Sequence, residues 1–131
     1  MTTFTSVTPN LIVQDIDRAT TFYRDVLGFT IKTTVPESAP YVFVWLERDG
    51  VPVFLNDPGA VERDMPGSRA RMPGGTATLF FVLSDVDAYH DRISARAKVV
   101  MPLKTQFYGM REFAIEDPDR HILTFAERVS E

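Results

Sequence analysis

No cysteine occurs among the 131 residues, which excludes disulfides, thiolate metal sites and cysteine nucleophiles. That absence fits a reducing compartment, and a cytoplasmic protein is expected. No apolar run approaches the length that spans a bilayer, and Met1-Thr2-Thr3-Phe4 lacks the basic and apolar regions of a secretory leader. The chain therefore reads as soluble, with no membrane partner. Positive charge is also scarce, with a formal net charge of −4 and one Arg concentration, Arg63, Arg69 and Arg71, in a loop. Phosphate binding needs a clustered basic surface, so no nucleic-acid partner is expected. Only two histidines are present.

Aromatic residues, by contrast, are plentiful: ten Phe, four Tyr and one Trp. They suit a well-packed β-rich core or a pocket that grips planar ligands. The length fits one compact domain or two half-size modules sharing a core, enough to bury about two thirds of the unfolded surface. An internal repeat favours the modules. Thr8-Pro9-Asn10-Leu11-Ile12-Val13-Gln14-Asp15-Ile16-Asp17 is answered in the second half by Thr78-Leu79-Phe80-Phe81-Val82-Leu83-Ser84-Asp85-Val86-Asp87. Each is an apolar run closing on Asp-(Ile/Val)-Asp before a helical pattern, so two copies of one supersecondary unit are implied.

Val7 to Val13 is β-prone, with Pro9 marking an edge strand. Asp17 is the expected N-cap of a helix whose face is Ala19, Phe22, Tyr23, Val26 and Leu27, stopped by Gly28. Phe29 to Val35, Tyr41 to Arg48 and Val51 to Asn56 are further strands, the last two joined by the hairpin signal Asp49-Gly50. The stretch from Asp57 to Gly75 is punctuated by Pro and Gly and has no apolar periodicity, so it reads as an inter-module linker. The second half repeats the order. Thr76 to Leu83 is a strand, followed by a helix opened by Ser84, Asp85 or Asp87 that buries Val86, Tyr89, Ile93 and Ala97. Val99 to Met101, Arg111 to Ile115 and Ile122 to Glu127 are strands, with Asp117-Pro118-Asp119-Arg120 as the last turn.

The expected fold is α+β: tandem β-α-β-β-β modules over residues 1–57 and 76–131, a linker over 58–75, and curved mixed sheets forming a cleft. Strand alternation places Leu11 and Val13 against helix one, and Thr8, Asn10 and Ile12 on the concave side. In the second module Leu79, Phe81 and Leu83 face helix two, while Thr78, Phe80 and Val82 look into the concavity. Phe54 follows Thr8 by the same spacing as Thr124 follows Thr78, making the four positions equivalent by repeat.

The stretch Asp15-Ile16-Asp17-Arg18-Ala19 to Phe22-Tyr23-Arg24-Asp25-Val26-Leu27-Gly28-Phe29 resembles the first-helix signature of the vicinal oxygen chelate superfamily. Tyr108-Gly109-Met110-Arg111-Glu112-Phe113 through Asp117-Pro118-Asp119-Arg120-His121 resembles its closing hairpin. The resemblance covers nearly the whole chain and implies the fold more strongly than a function. That fold hosts glyoxalases, extradiol dioxygenases, epimerases, thiol transferases and metal-free antibiotic-binding proteins. Metal-dependent members place His, Glu or Gln where the resemblance puts Thr8, Thr78 and Thr124, and sometimes use a fourth position that looks like Phe54. Hydroxyls are feeble ligands for a divalent cation and a phenyl ring is none, so neither metal nor cofactor is expected. His90, on a helix, and His121, at a turn, do not replace the missing ligands. Bleomycin-resistance proteins are similar in length, acidity, module order and the tail pattern aromatic-Gly-x-Arg-Glu-Phe. This second resemblance implies a homodimer that sequesters a flat ligand between aromatic side chains.

From the residues alone, Tyr41, Phe43 and Trp45 share one strand face, but parity does not say whether that face is the cavity or lies under the helix. On the cavity side they would offer stacking surface with Tyr108 as an amphipathic rim, and Glu47 would be an acidic group able to hold a cation. Arg111 could pair with a structural carboxylate or clamp an anionic ligand. Asp117-Pro118-Asp119 suits a turn, and Asp15, Asp17, Asp85 and Asp87 suit helix caps. The expected ligand site comprises Thr8, Asn10, Phe43, Trp45, Phe54, Thr78, Phe80, Tyr108, Arg111 and Thr124, with no catalytic residue. The leading function is metal-independent binding of a small aromatic or hydrophobic molecule. The competing readings are a glyoxalase- or dioxygenase-like enzyme with unconventional ligands, a metal-free lyase or isomerase using Glu47, Glu112 or His121 as base, and an accessory domain whose cleft is filled by its own side chains.

Overall fold

A computed structural model describes residues 1–72 and 77–130. The chain divides into two compact units, Met1–Met72 and Pro73–Glu131. Pro73, Gly74 and Gly75 of the expected linker, and Thr76 and Glu131 of the expected second module, lie outside the described residues.

Unit 1 runs β1 (Asn10–Ile12), α1 (Ile16–Thr21), β2 (Thr30–Val35), β3 (Phe43–Arg48), β4 (Val51–Asn56) and α2 (Pro58–Asp64). Its sheet order is β1-β4-β3-β2, with β1 parallel to β4 and the other pairs antiparallel. The first strand is shorter than its apolar run. Pro9 has no N–H to give a ladder, so Thr8 stays outside β1 while the Pro9 carbonyl accepts from Phe54 N at 2.9 Å.

Asp15, rather than Asp17, caps α1: its Oδ1 accepts from Arg18 N at 3.1 Å, leaving Asp17 in the first turn. The helix widens into a π-helical turn over Phe22–Val26 and stops at Gly28, whose φ of 84° suits glycine. Arg48 Nη1 donates to the Leu27 carbonyl at 2.8 Å, satisfying an oxygen that the ended helix leaves free. Asp49 and Gly50 both take positive φ, 51° and 80°, as a type I′ hairpin requires.

The segment after β4 differs from the linker expected there. Asp57 Oδ2 accepts from Ala60 N at 3.0 Å and Pro58 occupies the first turn, so a short helix forms and buries Pro58 and Val61. Glu62 then accepts from Gly67 N at 2.8 Å and Arg69 N at 2.9 Å, and these donors hold its carboxyl below the usual range. Capping chemistry and one carboxylate replace the missing apolar periodicity.

Unit 2 runs β5 (Thr78–Val82), α3 (Val86–Ile93), β6 (Lys98–Thr105), β7 (Met110–Glu116) and β8 (Ile122–Arg128), in sheet order β5-β8-β7-β6. Each unit is thus a β-α-β-β-β module with a four-stranded mixed sheet, and the fold is α+β. Asp85 sits at the α3 N-cap in the left-handed region without a capping side-chain bond. Glu127 Oε1 on β8 serves instead, accepting from Val86 N at 3.1 Å.

The modules fill equivalent helix positions differently. Ala19 on α1 and Tyr23 in the π-helical turn that follows are fully buried, where unit 2 buries Tyr89 and Ile93 on α3. Small-then-large is exchanged for large-then-smaller, which conserves core volume. Under α1 lie Val13, Val44, Leu46, Val53 and Leu55, all wholly buried, and under α3 lie Phe113, Ile115, Leu123 and Phe125. Each such side chain contributes about 1.5–3 kcal/mol of transfer free energy. Among the described residues, no helix is long and apolar enough to cross a membrane.

Candidate functional site

The buried side chains of β3 and β4 alternate with half-buried ones, and this decides which face the aromatic stripe occupies. Val44, Leu46, Val53 and Leu55 take the α1 side, so Phe43, Trp45, Glu47, Phe54 and Asn56 stand on the opposite face. Register places Trp45 beside Phe54, Phe54 beside Asn10, and Phe43 beside Asn56. Phe54 is the hub. Its ring meets Phe43 edge-to-face at 5.1 Å and Trp45 at 5.8 Å, leaving the three rings as one apolar patch.

Polar groups border that patch. Asn56 Nδ2 donates to Asn10 Oδ1 at 2.6 Å and to the Leu11 carbonyl at 3.2 Å, tying β1 to β4. The indole Nε1 of Trp45 is buried and has no hydrogen-bond partner. Such a donor costs about 1–3 kcal/mol when left unpaired. Asn56 was absent from the sequence-derived set although it shares Phe54's parity on β4. Its position at the strand end, before Asp57-Pro58, obscured it.

The corresponding face of unit 2 is identified by contacts to α3. Arg111 Nε donates to Asp87 Oδ1 at 2.6 Å and Glu127 caps the helix, so odd-numbered residues of β7 and β8 face α3. Phe81 stacks on Phe125 at 5.3 Å, and Phe125 meets Tyr89 of α3 at 5.1 Å, extending that side to β5. Thr78, Phe80, Glu112, Ala114 and Thr124 therefore share the opposite face. Arg111 does not join them. It is held by Asp87 and by Thr105 Oγ1 at 3.2 Å, the structural pairing that its sequence context had left open.

Register keeps Phe54 equivalent to Thr124 and shows which residue of the first strand each faces. Phe54 pairs with Asn10 and Thr124 with Phe80, so the equivalent pairs are Asn10/Phe54 and Phe80/Thr124. Thr78 lies instead beside Ile122, and Thr8 precedes β1 altogether. Phe80 is 54% exposed. Tyr108, 45% exposed, donates its hydroxyl to Glu112 Oε1 at 2.5 Å, and that carboxylate acceptor raises the phenol's pKa. Glu112 is 4% exposed, and its Oε2 is buried without a partner. Glu112 entered the sequence reading only as a candidate base, because nothing in its spacing signals burial of a carboxylate.

Asp117 to His121 form the turn that Asp-Pro-Asp implies. Asp117 Oδ1 accepts from Asp119 N at 2.8 Å and His121 N at 2.9 Å, and Oδ2 lies 2.8 Å from His121 Nδ1. The bond to Asp117 raises the His121 pKa against the opposing effect of burial. His90 packs edge-to-face on Phe113 at 4.9 Å, so both histidines are engaged structurally.

A divalent metal of the kind used by chelating members of this fold finds a poor donor set here. The β1/β4 pair offers an amide already bonded to Asn56 and a phenyl ring, and the β5/β8 pair offers a phenyl ring and a hydroxyl. Among the described residues, no three His, Asp or Glu side chains cluster as a metal site.

Comparisons with known proteins agree on the architecture. A protein of unknown function from Agrobacterium tumefaciens is 28% identical, with a TM-score of 0.74 over 97% of this chain and 96% of that one. TioX from Micromonospora is 24% identical, with a TM-score of 0.74 over 96% and 100% of the two chains. The bleomycin-binding protein of Streptomyces verticillus, solved with copper(II)-bleomycin, is 18% identical with a TM-score of 0.70 over both full lengths. At 18% and 24% identity the likeness shows fold alone. No curated protein matches. The profile of the Glyoxalase/Bleomycin resistance protein/Dioxygenase superfamily matches residues 4–125, and the chain belongs to that superfamily.

Proposed function

We propose that this protein binds a small planar aromatic or hydrophobic molecule without a metal of its own, in the manner of a sequestering protein. The observation that carries the reading is the Phe43, Trp45 and Phe54 patch on the sheet face away from α1, bordered by an unpaired indole N–H. Core aromatics belong under the helix, and this patch is not there. A bound planar molecule would gain ring contact from three side chains and meet the indole donor with an acceptor of its own. Asn10, on the same face of unit 1, supplies further neutral contact surface, and unit 2 carries the exposed Phe80 with Thr78 and Thr124 on the α3-distal face of its own sheet. Tyr108 contributes an amphipathic rim to its own unit. Thr8, beyond the strand, is assigned a flanking role.

The reading is favoured over a metal enzyme by donor chemistry: amide, hydroxyl and phenyl groups hold a guest and do not polarise one. The bleomycin-binding relative lends analogy at the level of fold. We place the protein in the cytoplasm on its lack of cysteine, and assign it the homodimeric state that its resemblance to bleomycin-resistance proteins implies.

Trp45 is the only tryptophan, so its fluorescence reports on this face alone. Titration with metal-free bleomycin and other planar aromatic antibiotics should give saturable quenching that chelator leaves intact. Binding that appears only after a divalent metal is added would contradict the proposal, as would no response across the set.

A further inference from the structure

Asn10 and Asn56 close one corner of the ring patch on unit 1. Register sets Trp45, Phe54 and Asn10 side by side across β3, β4 and β1, with Phe43, Asn56 and Ile12 as the next row of the same face. Neighbouring strands lie about 4.8 Å apart and same-face residues about 6.8 Å apart along a strand, so a bicyclic ring laid over Phe54 brings one edge to both amides. The pair is open to solvent rather than sealed in the core, since Asn10 is exposed and Asn56 half-buried. No charged side chain shares these two rows. Glu47 stands one row beyond Trp45, on the far side from Asn56.

The two amides are oriented by their own bonds. Asn56 Nδ2 donates to Asn10 Oδ1 at 2.6 Å and to the Leu11 carbonyl at 3.2 Å, so both its N–H groups are spent and its Oδ1 remains as an acceptor. Asn10 Oδ1 receives the first of these bonds, which leaves Asn10 Nδ2 as a donor. Neither remaining group has a partner among the described residues. Tying β1 to β4 needs only the bond between the amides. What the tie leaves over is an uncharged donor and an uncharged acceptor, side by side at the rim of an aromatic patch. We infer that the guest of this face carries a neutral lactam or imide edge, whose carbonyl accepts from Asn10 Nδ2 and whose N–H donates to Asn56 Oδ1. The inference rests on the aromatic-binding function proposed for this face and narrows it: the rings supply contact, and the amide pair selects. A flat guest without that edge leaves both protein groups dehydrated and unmatched, which is how a hydrogen-bonding site rejects an analogue.

The test uses isocarbostyril, a flat bicyclic lactam, beside isoquinoline and N-methylisocarbostyril, which lack the N–H, in amide-resolved NMR titrations of the full chain. Isocarbostyril should bind at least about tenfold more tightly than either and should move the side-chain amide resonances of Asn10 downfield. Isoquinoline is no bulkier than the lactam, so its weaker binding is not a steric effect. Asn10→Asp keeps the acceptor that Asn56 uses and removes the donor, and should weaken isocarbostyril by a similar factor. Equal affinity for the three probes would overturn the amide edge and leave the aromatic face standing, as would unchanged isocarbostyril affinity in a folded Asn10→Asp protein. Should the variant not fold, the contrast among the probes on the unmutated protein decides alone. If none of the three moves the Trp45 or Asn10 side-chain resonances at about 2 mM, where a well-seated fragment is populated, the aromatic-binding function falls and this inference with it.

Discussion

Replacing Trp45 by Phe separates a binding face from a core more sharply than truncation does. The indole stands edge-to-face on Phe54 at 5.8 Å, and a phenyl ring at the same position preserves that contact, worth about 1 kcal/mol. Shrinking the ring forfeits about 1 kcal/mol of buried contact, reduced because Trp45 is only half-buried. Deleting the unpaired Nε1–H returns about 1 kcal/mol or more, since no protein acceptor satisfies it. The two changes offset, so Trp45→Phe should leave stability within about 1 kcal/mol of the parent. Trp45→Ala removes the Phe54 contact as well and should cost about 3 kcal/mol, the low end for a large aromatic. Ligand affinity should behave otherwise, falling at least about tenfold in both variants because a hydrogen-bond donor to the guest is gone in each. Denaturant unfolding followed by far-UV circular dichroism measures the first quantity, and calorimetric titration with a ligand found by fluorescence measures the second. A Trp45→Phe protein that binds like the parent, or that loses as much stability as Trp45→Ala, would refute the reasoning and make Trp45 a packing residue.

The Asp117–His121 pair makes stability depend on pH. Its bond raises the folded-state pKa of His121 above the unfolded value of about 6.5, so its contribution is fully present below that pH and is lost as pH rises through the raised value. The stability gap between the parent and His121→Gln should therefore be larger at about pH 5.5 than at about pH 9 in urea titrations, and a gap independent of pH would count against the pair. Gly109 has φ of 90° and a Cβ there would strike the Ser130 carbonyl, so Gly109→Ala should destabilise by about 2 kcal/mol in thermal unfolding. Asp15→Ala removes the α1 cap and should cost about 1 kcal/mol, whereas Asp17→Ala, which caps nothing, should cost well under half of that.

Much of the architecture was legible because the repeat and the strand parity are consequences of burial on one face. Val51–Asn56 coincides with its expected bounds, and Asp49-Gly50 is the type I′ turn its composition demands. Choice between near-equivalent carboxylates was not legible. Asp15 and Asp17 carry the same chemistry, and only the backbone decides which one reaches an amide. At α3 the carboxylate that serves comes from β8, far along the chain. The helix after β4 escaped periodicity because it is one short turn pair held by Asp57 and Glu62 rather than by an apolar stripe. For the site, parity grouped Phe43 with Trp45 but could not orient them, since alternation has the same period on both faces of a sheet. Arg111 illustrates the same limit. Its partner Asp87 sits on a helix whose placement over β7 has no local signature.

The most direct measurement is a two-dimensional 15N spectrum of the Trp45 side chain, whose single indole peak belongs to a donor with no partner in the free protein. Saturating addition of a metal-free planar ligand should move that peak downfield, as an acceptor arrives, while amides of the helix-side strand positions Val44 and Leu55 change little. An indole peak that stays in place while a ligand binds, or moves only once zinc or iron is supplied, would contradict the account.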